Sequence, residues 1–402
     1  MHDDLIALID RFSQIGSTMD GGVRRLTGSP EDGAARTLFA QLATERGASV
    51  ITDAVGNMFA TFPTAPDADT TVLCGSHLDS QPTGGRFDGT LGVLAALDAA
   101  AALLAEGTPL RHNITVVNWT NEEGARFQPS LTGSSVFTGK YTADFALGLR
   151  DRLGTSMGEA LEAIGWLGED SLGLTPVHNL ELHVEQGGHL EESGVQIGAV
   201  TASWGVRKLT LSFVGAPSHT GPTAMPQRRD AMRAAALAIT RFHDQMEAET
   251  ARLHWSAAKI VAEPDSPNVV ASRVTVYFEI RNPDQAVCTE VGDRFMQAIT
   301  KDVAALGCAI DVATDEARPG TPLSAEGVGM TLEAASALGL SATPMLTITG
   351  HDALALAAVM PSTLVFVPSV GGLSHSPLEL THPQDLRNGG AMIQALLRRL
   401  TA

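Results

Sequence analysis

The chain has 402 residues, of which 44% are hydrophobic and 18% charged, and its formal net charge at pH 7 is −18. This length exceeds what one ordinary hydrophobic core organises, so two domains are expected. The negative charge argues against general binding to nucleic acid or anionic membranes, and no partner of either kind is expected. A small anionic substrate stays compatible with this composition, because a few buried arginines reverse the field locally.

The cysteines and the apolar segments bear on the cellular compartment. Cys74, Cys288 and Cys308 are odd in number and widely spaced, which fits neither a disulfide framework nor a Cys-X-X-Cys motif. The first residues carry acids where a signal peptide needs a basic and then an apolar region. The longest apolar segment, 91–105, is too short to span a bilayer and contains Asp98. We expect a reduced, cytoplasmic, soluble protein.

The first half of the chain is predicted to alternate helices and strands. Its predicted elements lie, in order, at 5–15 (helix), 34–44 (helix), 48–60 (two strands joined by a turn), 70–74 (strand), 90–105 (helix) and 113–118 (strand). The last two strands have apolar centres, Val72–Cys74 and Ile114–Val117, and are followed by polar residues, as expected of buried strands in a parallel sheet. This alternation favours an α/β sheet whose ligands gather at the carboxyl ends of its strands.

The pattern changes near residue 206. The next predicted elements are an alternating strand at 207–214, a helix at 229–246, a strand at 269–280 and a helix at 286–306, followed by elements of the earlier style at 326–338 (helix), 363–367 (strand) and 383–400 (helix). Two strand–helix repeats suit a small α+β domain with an antiparallel sheet. We predict a discontinuous α/β catalytic domain, 1–205 with 322–402, that contains a mixed sheet flanked by helices. Residues 206–321 are predicted to form a lid inserted into the sequence of this domain.

Polar residues with metal-binding chemistry follow the predicted buried strands. His77 and Asp79 are two residues apart at a strand end. If the backbone stays extended there, both side chains point to the same side, and the Asp79 carboxylate can accept the second imidazole N–H of a metal-bound His77. The spacing predicts a metal ligand with a carboxylate behind it.

Asp88, Glu122 and Glu123 are three more carboxylates that lie next to predicted strands or helices. Asp88 precedes a helix, where capping that helix is an equally good interpretation. Glu122 and Glu123 follow the apolar strand at 113–118. One of the two carboxylates can bind a metal while the other takes a proton from water. A solvent-exposed acidic loop without catalytic function is the alternative interpretation of the same pair.

Two isolated histidines complete the candidate set. A lone histidine on a strand, such as His183, is more often a core residue than a ligand, and His375 fits an ordinary turn. Together with the carboxylates they form the mixed oxygen and nitrogen set that zinc or manganese accepts. An aspartate among them can bridge two ions.

Seven segments of the chain together match the pattern of one enzyme family in the same order. They are GSHLDSQPTGGRFDG (75–89), WTNEEGARF (119–127), ELHVEQG (181–187), SHTGPTAM (218–225) with RD (229–230), RNPD (281–284), GHDA (350–353) and VGGLSHSP (370–377). The chain resembles the M20 metallopeptidase superfamily, within it the branch of N-carbamoyl-L-amino-acid hydrolases, β-ureidopropionases and allantoate amidohydrolases. These segments are distributed, in the family's order, over nearly the whole length of the chain.

The resemblance implies two divalent metal ions per subunit, zinc or manganese, with cobalt and nickel as alternatives. It implies the following roles: His77 and His183 on one ion, Glu123 and His375 on the other, Asp88 bridging, Glu122 as general base, Asp79 behind His77, His219 stabilising the oxyanion, and Gln186, His219, Asn268, Arg281 and His351 binding substrate. From the residues alone, Arg281 fits a strand-end charge better; the family pattern assigns it to the substrate carboxylate. The resemblance also implies a homodimer formed through the lid.

The expected reaction is hydrolysis of the carbamoyl C–N bond of an N-carbamoyl-L-amino acid to amino acid, carbon dioxide and ammonia. β-Ureidopropionase and allantoate amidohydrolase are the alternatives, followed by an aminoacylase, a dipeptidase or a homologue that binds metal or ligand without catalysis. The chain departs from the family where Thr347, Ile348 and Thr349 stand in the segment before His351, and where Ala271 follows the Asn-Val-Val segment. These departures concern the substrate pocket, not the proposed metal ligands.

Overall fold

The computed structural model describes residues 3–107, 110–168, 173–250 and 252–402. The chain forms two compact units: the described residues of Met1–Ala202 with Pro322–Ala402, and Ser203–Thr321. The second unit is thus inserted into the first, near the predicted bounds 206–321. The role of that insertion as a lid remains a prediction.

The elements before the insertion are α1 (Asp3–Ser13), α2 (Pro30–Glu45), β1 (Ser49–Thr52), β2 (Met58–Phe62), β3 (Thr70–His77), α3 (Thr90–Glu106), β4 (Asn113–Trp119), α4 (Thr132–Phe137), α5 (Ala143–Leu147), α6 (Met157–Ala163), β5 (Thr175–Val184), α7 (His189–Ser193) and β6 (Ile197–Ser203). The insertion contains β7 (Gly205–Val214), β8 (Ser218–His219), α8 (Ala231–Ala248), β9 (His254–Glu263), β10 (Val269–Val270), β11 (Arg273–Asn282), α9 (Gln285–Ala305) and β12 (Ala309–Arg318). After it come α10 (Ala325–Ala337), β13 (Ala342–Thr347), α11 (Asp352–Leu356), β14 (Ser362–Val367) and α12 (Pro383–Thr401).

The first unit is built on a mixed sheet. Among the described residues it has eight strands in the order β1-β2-β4-β3-β5-β14-β6-β13. The four central strands, β4, β3, β5 and β14, run parallel. They are buried along most of their length, as parallel strands covered by helices on both faces are. The predicted fold class is confirmed, and the parallel centre determines where the strand ends meet.

One face of this sheet carries the main core of the unit. α3 is buried along most of its length, because its Ala and Leu residues cover the sheet. α1 and α12 pack against α3, and α2 packs against β1 and β2. Smaller clusters fill the other face, where Phe59 packs edge-on against Trp119 with ring centroids 5.7 Å apart. This packing makes the parallel strands a rigid support for the loops that follow them.

The inserted unit is an antiparallel sheet with the order β12-β7-β11-β9 and helices α8 and α9 packed on one face. Phe242, Phe278 and Phe295 form the centre of its core, with ring centroids 4.9 to 5.2 Å apart. The segment predicted as one strand at 269–280 is two strands, β10 and β11. The edge strands β9 and β12 were not predicted, because both are largely exposed and lack a regular apolar alternation.

The cysteines and the longest helices can also be described. Cys74, Cys288 and Cys308 are buried and free. Within the described ranges, no helix combines the length and the apolar character needed to cross a bilayer.

Candidate active site

Parallel strands carry the candidate ligands to one edge of the sheet. His77 is the last residue of β3, and His183 is the last but one of β5. Glu122 and Glu123 follow β4, and His375 lies in the loop after β14. Because the carboxyl ends of parallel strands meet at one edge, residues distant in sequence converge there.

The two buried histidines present the same ring nitrogen to the centre. Nδ1 of His77 lies 2.9 Å from the Asp79 carbonyl oxygen, and Nδ1 of His183 lies 2.9 Å from the Val184 carbonyl oxygen. A carbonyl only accepts hydrogen bonds, so each Nδ1 carries a proton and each Nε2 faces the Asp88 carboxylate. Among the residues that the structure describes, His77 Nε2 is buried and has no hydrogen-bond partner. Both rings are therefore held in an orientation in which Nε2 is the nitrogen available to a metal.

Asp88 lies between two groups of donor atoms. Its Oδ1 is 3.1 Å from His183 Nε2 and 3.5 Å from His77 Nε2, while its Oδ2 is 3.5 Å from His375 Nε2. Asp88 does not cap α3, since that helix is preceded by Gly89 and has no side-chain cap. Gly89 has φ +61°, and a Cβ there would lie 2.4 Å from the His77 ring. The glycine lets the Asp88 backbone approach the histidine.

The donor atoms form two groups that share Asp88. The first group consists of His77, Asp88 and His183, and the second of Asp88, Glu123 and His375. Glu123 Oε2 lies 3.4 Å from His375 Nε2. Gln81 orients this carboxylate from its other side, because its main-chain N–H and its Nε2 both donate to Glu123, at 3.1 and 2.7 Å. Gln81 belongs to the matched segment 75–89 but received no role from the sequence; an amide four residues after His77 was the available signal.

Glu122 and Asp79 lie beside the first group. Glu122 Oε2 is 3.4 Å from His77 Nε2. The Asp79 carboxylate was expected to accept the His77 N–H, but the Asp79 main-chain carbonyl does so, and Oδ1 is farther away at 3.7 Å. The backbone turns after β3, which brings the carbonyl under the ring. The Asp79 carboxylate instead accepts the Glu122 main-chain N–H at 3.2 Å and the Thr27 hydroxyl at 3.1 Å.

The cluster concentrates negative charge in a buried place. Burial, only partly opposed by His77, raises the pKa of Glu122 well above its usual value. Burial and then the charge of Asp88 raise the pKa of Glu123 to about 8. Burial also disfavours ionised Asp88, but His183 and His77 outweigh it and hold the pKa of Asp88 well below its usual range. Divalent cations would compensate this crowding of carboxylates.

Two predicted substrate-binding residues contact the same cluster. Gln186 Nε2 donates to Asp88 Oδ2 at 2.7 Å. His351 is buried, its ring 4.5 Å from that of His183. Glu181, His183 and His351 form a third group with metal-ligand spacing. However, the Glu181 oxygens already accept the Ser76 hydroxyl and the Ala353 N–H, both at 2.7 Å, so we assign that glutamate a structural role.

The inserted unit separates the other predicted substrate-binding residues. His219 pairs with Val269 in the β8–β10 ladder, and the Asn268 carbonyl accepts the N–H of Thr220 at 3.2 Å. His219 and Asn268 are thus neighbours on loops that leave the sheet at the Arg273 end of β11. Arg281 lies at the opposite end of β11, eight residues after Arg273. At about 3.3 Å per residue, the two ends of the strand are about 26 Å apart. Arg281 forms an ion pair with Glu279.

Comparisons with known proteins show which family the chain belongs to. The model of peptidase family M20/M25/M40 matches residues 73–399. An N-carbamoyl-L-amino-acid amidohydrolase of Rhizobium meliloti is 39% identical, covering 92% of this chain and 89% of the relative. An allantoate amidohydrolase of Escherichia coli is 32% identical, covering 97% and 95%. The crystal structure of a hydantoinase/carbamoylase family amidase from Burkholderia vietnamiensis has a TM-score of 0.94 at 33% identity, covering 100% of this chain and 98% of that one.

The chain belongs to the M20 peptidase family. The family is metal-dependent, and the two donor groups that share Asp88 are the candidate ligands of this chain. Within the family the protein is an amidohydrolase that acts on carbon–nitrogen bonds other than peptide bonds, in linear amides.

Proposed function

We propose that this protein hydrolyses the carbamoyl C–N bond of an N-carbamoyl-L-amino acid. The observation that carries the proposal is Asp88, which turns one oxygen toward each of two donor groups, while the Glu122 carboxylate lies beside the first group and belongs to neither. Three relatives named N-carbamoyl-L-amino-acid amidohydrolases, at 34% to 39% identity, support this substrate class. The products are the amino acid, carbon dioxide and ammonia, and one water molecule balances the reaction.

The residues present fit two divalent ions. His77 and His183 would hold one ion, Glu123 and His375 the other, and Asp88 both. The fit rests on the two imidazole Nε2 atoms that face Asp88, on the orphaned Nε2 of His77 and on the hard carboxylate oxygens. When bound, such ions polarise a carbonyl and make water more acidic. We expect zinc or manganese.

Glu122 is the residue we assign to proton transfer. Its main-chain N–H donates to Asp79 and its carbonyl accepts from Leu131, which holds the backbone and leaves the carboxylate turned toward His77. The carboxylate takes a proton from water as the water oxygen attacks the carbamoyl carbon. It then gives that proton to the leaving nitrogen as the C–N bond breaks. His219 is the proposed donor to the developing oxyanion.

The two ends of the inserted sheet support a role for a second copy of the chain. Arg281 is the proposed partner of the substrate carboxylate, and Asn268 with His219 is the proposed partner of the ureido group. They lie at opposite ends of β11, too far apart for one small substrate to span in a direct line. We therefore propose a homodimer in which the two ends serve different active sites.

Complementation tests this arrangement. His219→Ala and Glu122→Gln chains are each expected to be inactive. If His219 acts across the dimer, their mixed dimers contain one complete site, and random mixing restores about a quarter of wild-type activity. If it acts within its own chain, no mixed dimer has a complete site. Mixing without recovery, although mass measurement shows that mixed dimers formed, would refute the arrangement.

Allantoate is the second candidate substrate, because allantoate amidohydrolases of Escherichia coli and Bacillus subtilis align over 97% and 98% of this chain. N-carbamoyl-β-alanine is the third. All three are small ureido acids with a carboxylate, so Arg281 does not distinguish them. The chain departs from the family pattern at Thr347, Ile348, Thr349 and Ala271, and we expect selectivity to depend on these positions.

A substrate panel tests the proposal. Metal-loaded protein is given N-carbamoyl-L-amino acids, N-carbamoyl-β-alanine, allantoate, an N-acetyl-L-amino acid and a dipeptide, and ammonia and amino acid are measured. We expect the highest kcat/KM for an N-carbamoyl-L-amino acid, with amino acid and ammonia released in equal amounts. A preference for allantoate would support the second candidate. Turnover of only the acetylated or peptide substrate would refute a ureido substrate.

A further inference from the structure

A buried glutamate connects two of the loops that carry candidate metal ligands. Glu379 is 4% exposed and lies in the loop after His375. Its Oε1 accepts the main-chain N–H groups of Phe87 and Asp88, each at 3.0 Å. Its Oε2 accepts the Ser374 hydroxyl at 2.8 Å. One carboxylate thereby joins the start of α3 to the loop that follows β14.

Ser374 connects the carboxylate of Glu379 to the carboxylate of Asp88. The same Ser374 oxygen lies 2.9 Å from Asp88 Oδ2. A hydroxyl has one proton, so it donates to Asp88 or to Glu379 at a given moment. Glu379 and Ser374 thus contact both the main chain and the carboxylate of Asp88, and Ser374 precedes His375 directly. These contacts restrain Asp88 in position and in rotation.

The fold makes room for this glutamate. A Cβ on Gly85 would lie 2.3 Å from the carboxyl carbon of Glu379 and 2.3 Å from its Oε1. Any larger residue at position 85 would force the carboxylate to move. Glu379 is outside every group with metal-ligand spacing among the described residues, and its oxygens are engaged by donors of the protein. It is therefore placed to orient ligands and does not bind an ion itself.

We propose that Glu379 is a positioning residue that, together with Ser374, holds Asp88 and the His375 loop in the arrangement that binds both metal ions. The inference rests on the metal centre of the proposed function. If Asp88 is to hold both ions, each of its two oxygens would have to keep its direction. Residues that orient ligands in this way typically contribute about 10- to 100-fold to metal affinity.

Zinc titration of the metal-free protein against a chromophoric chelator tests the proposal without use of turnover. Glu379→Ala is expected to raise the zinc dissociation constant about 10- to 100-fold. Glu379→Gln keeps an oxygen for the two amides and offers an N–H to the Ser374 oxygen, so its dissociation constant should stay within about fivefold of wild type. Asp53→Ala is the control, because Asp53 is also buried and accepts two main-chain N–H groups, but in the β1–β2 turn. It should lose stability and keep zinc affinity.

A second variant covers the case in which Glu379→Ala fails to fold. Gly85→Ala keeps every polar group and only displaces the Glu379 carboxylate, and it should weaken zinc binding by at least about tenfold. Gly329→Ala, whose added Cβ meets no neighbour, is its control and should bind as wild type does. Circular dichroism of each metal-free variant confirms the fold.

The outcomes separate this inference from the proposed function. Wild-type protein that takes up no zinc would refute the metal centre, and the inference with it. If wild type binds two zinc ions while Glu379→Ala and Gly85→Ala bind them equally well, only the positioning role is overturned. The positioning role alone is also overturned if Glu379→Gln binds zinc as weakly as Glu379→Ala does, or if Asp53→Ala weakens zinc binding to the same extent as Glu379→Ala.

Discussion

Replacing Glu122 with glutamine separates proton transfer from metal binding. The substitution preserves side-chain volume and leaves both main-chain hydrogen bonds of Glu122, with Asp79 and Leu131, in place. What it removes is the ability of the side chain to take a proton. Since none of the proposed ligands His77, His183, Asp88, Glu123 or His375 is changed, the Glu122→Gln protein should still bind two metal ions.

The loss of turnover follows from the role assigned to Glu122. A positioned general base or acid accelerates a reaction about 10²- to 10⁴-fold, which corresponds to about 2.7 to 5.5 kcal/mol of activation free energy. Glu122 is proposed to act twice, first taking and then returning the proton. We therefore expect kcat to fall at least about 10³-fold, with little change in KM because substrate contacts are untouched.

The neighbouring residue is a matched control for this experiment. Glu123→Gln makes the same chemical change one residue away, on a carboxylate that faces His375 and accepts two hydrogen bonds from Gln81. It should lose one metal ion. Metal content by atomic emission and ammonia release are measured for both variants. A Glu122→Gln enzyme within about tenfold of wild-type kcat would refute the general-base assignment, as would loss of metal from Glu122→Gln alone.

Three further predictions concern recognition and stability. Arg281→Ala should raise KM for ureido acids about 10- to 100-fold, the value of a charge-assisted hydrogen bond, with a smaller effect on kcat; an unchanged KM would remove Arg281 from carboxylate binding. Burial lowers the pKa of His178 to about 4 from 6.5. As pH falls from 6.5 to 4 the unfolded chain therefore takes up a proton that the folded chain does not, which costs up to about 3 kcal/mol of stability. Urea unfolding of His178→Gln should show a flatter pH dependence in this range, and an unaltered slope would contradict the assignment. Gly75→Ala puts a Cβ 2.0 Å from the Val117 carbonyl oxygen and should lower the unfolding free energy by about 3 kcal/mol or more, measured as a lower Tm; a wild-type Tm would show that β3 and β4 adjust freely.

Much of the site could be predicted because the relevant signals are local in sequence. Apolar runs ending in polar residues located the ends of β3 and β4, and therefore His77 and the Glu122–Glu123 pair. Once these strands are parallel neighbours, their ends must lie together. His183 and His375 had no such signal. They depended on the family pattern, because one histidine on a strand or in a turn has many ordinary explanations.

Several contacts could be found only in the folded protein. The main-chain carbonyl of Asp79 replaces the expected carboxylate as partner of His77, since the path of the backbone after β3 is set by its surroundings. Gln81 and Glu379 became visible only through their partners Glu123 and Asp88. Hydrogen bonds between loops far apart in sequence depend on the register and packing of whole strands.

By itself, then, the sequence determined the alternating α/β pattern, the inserted antiparallel unit and the residue types of a metal centre, because each of these follows from local periodicity or from a short motif. The tertiary structure decided which atoms face one another: the Nε2 atoms of His77 and His183 toward one oxygen of Asp88, and His375 toward the other. It also decided that Arg281 and the His219–Asn268 pair lie at opposite ends of a sheet. Those relations depend on long-range strand pairing, which no local pattern specifies.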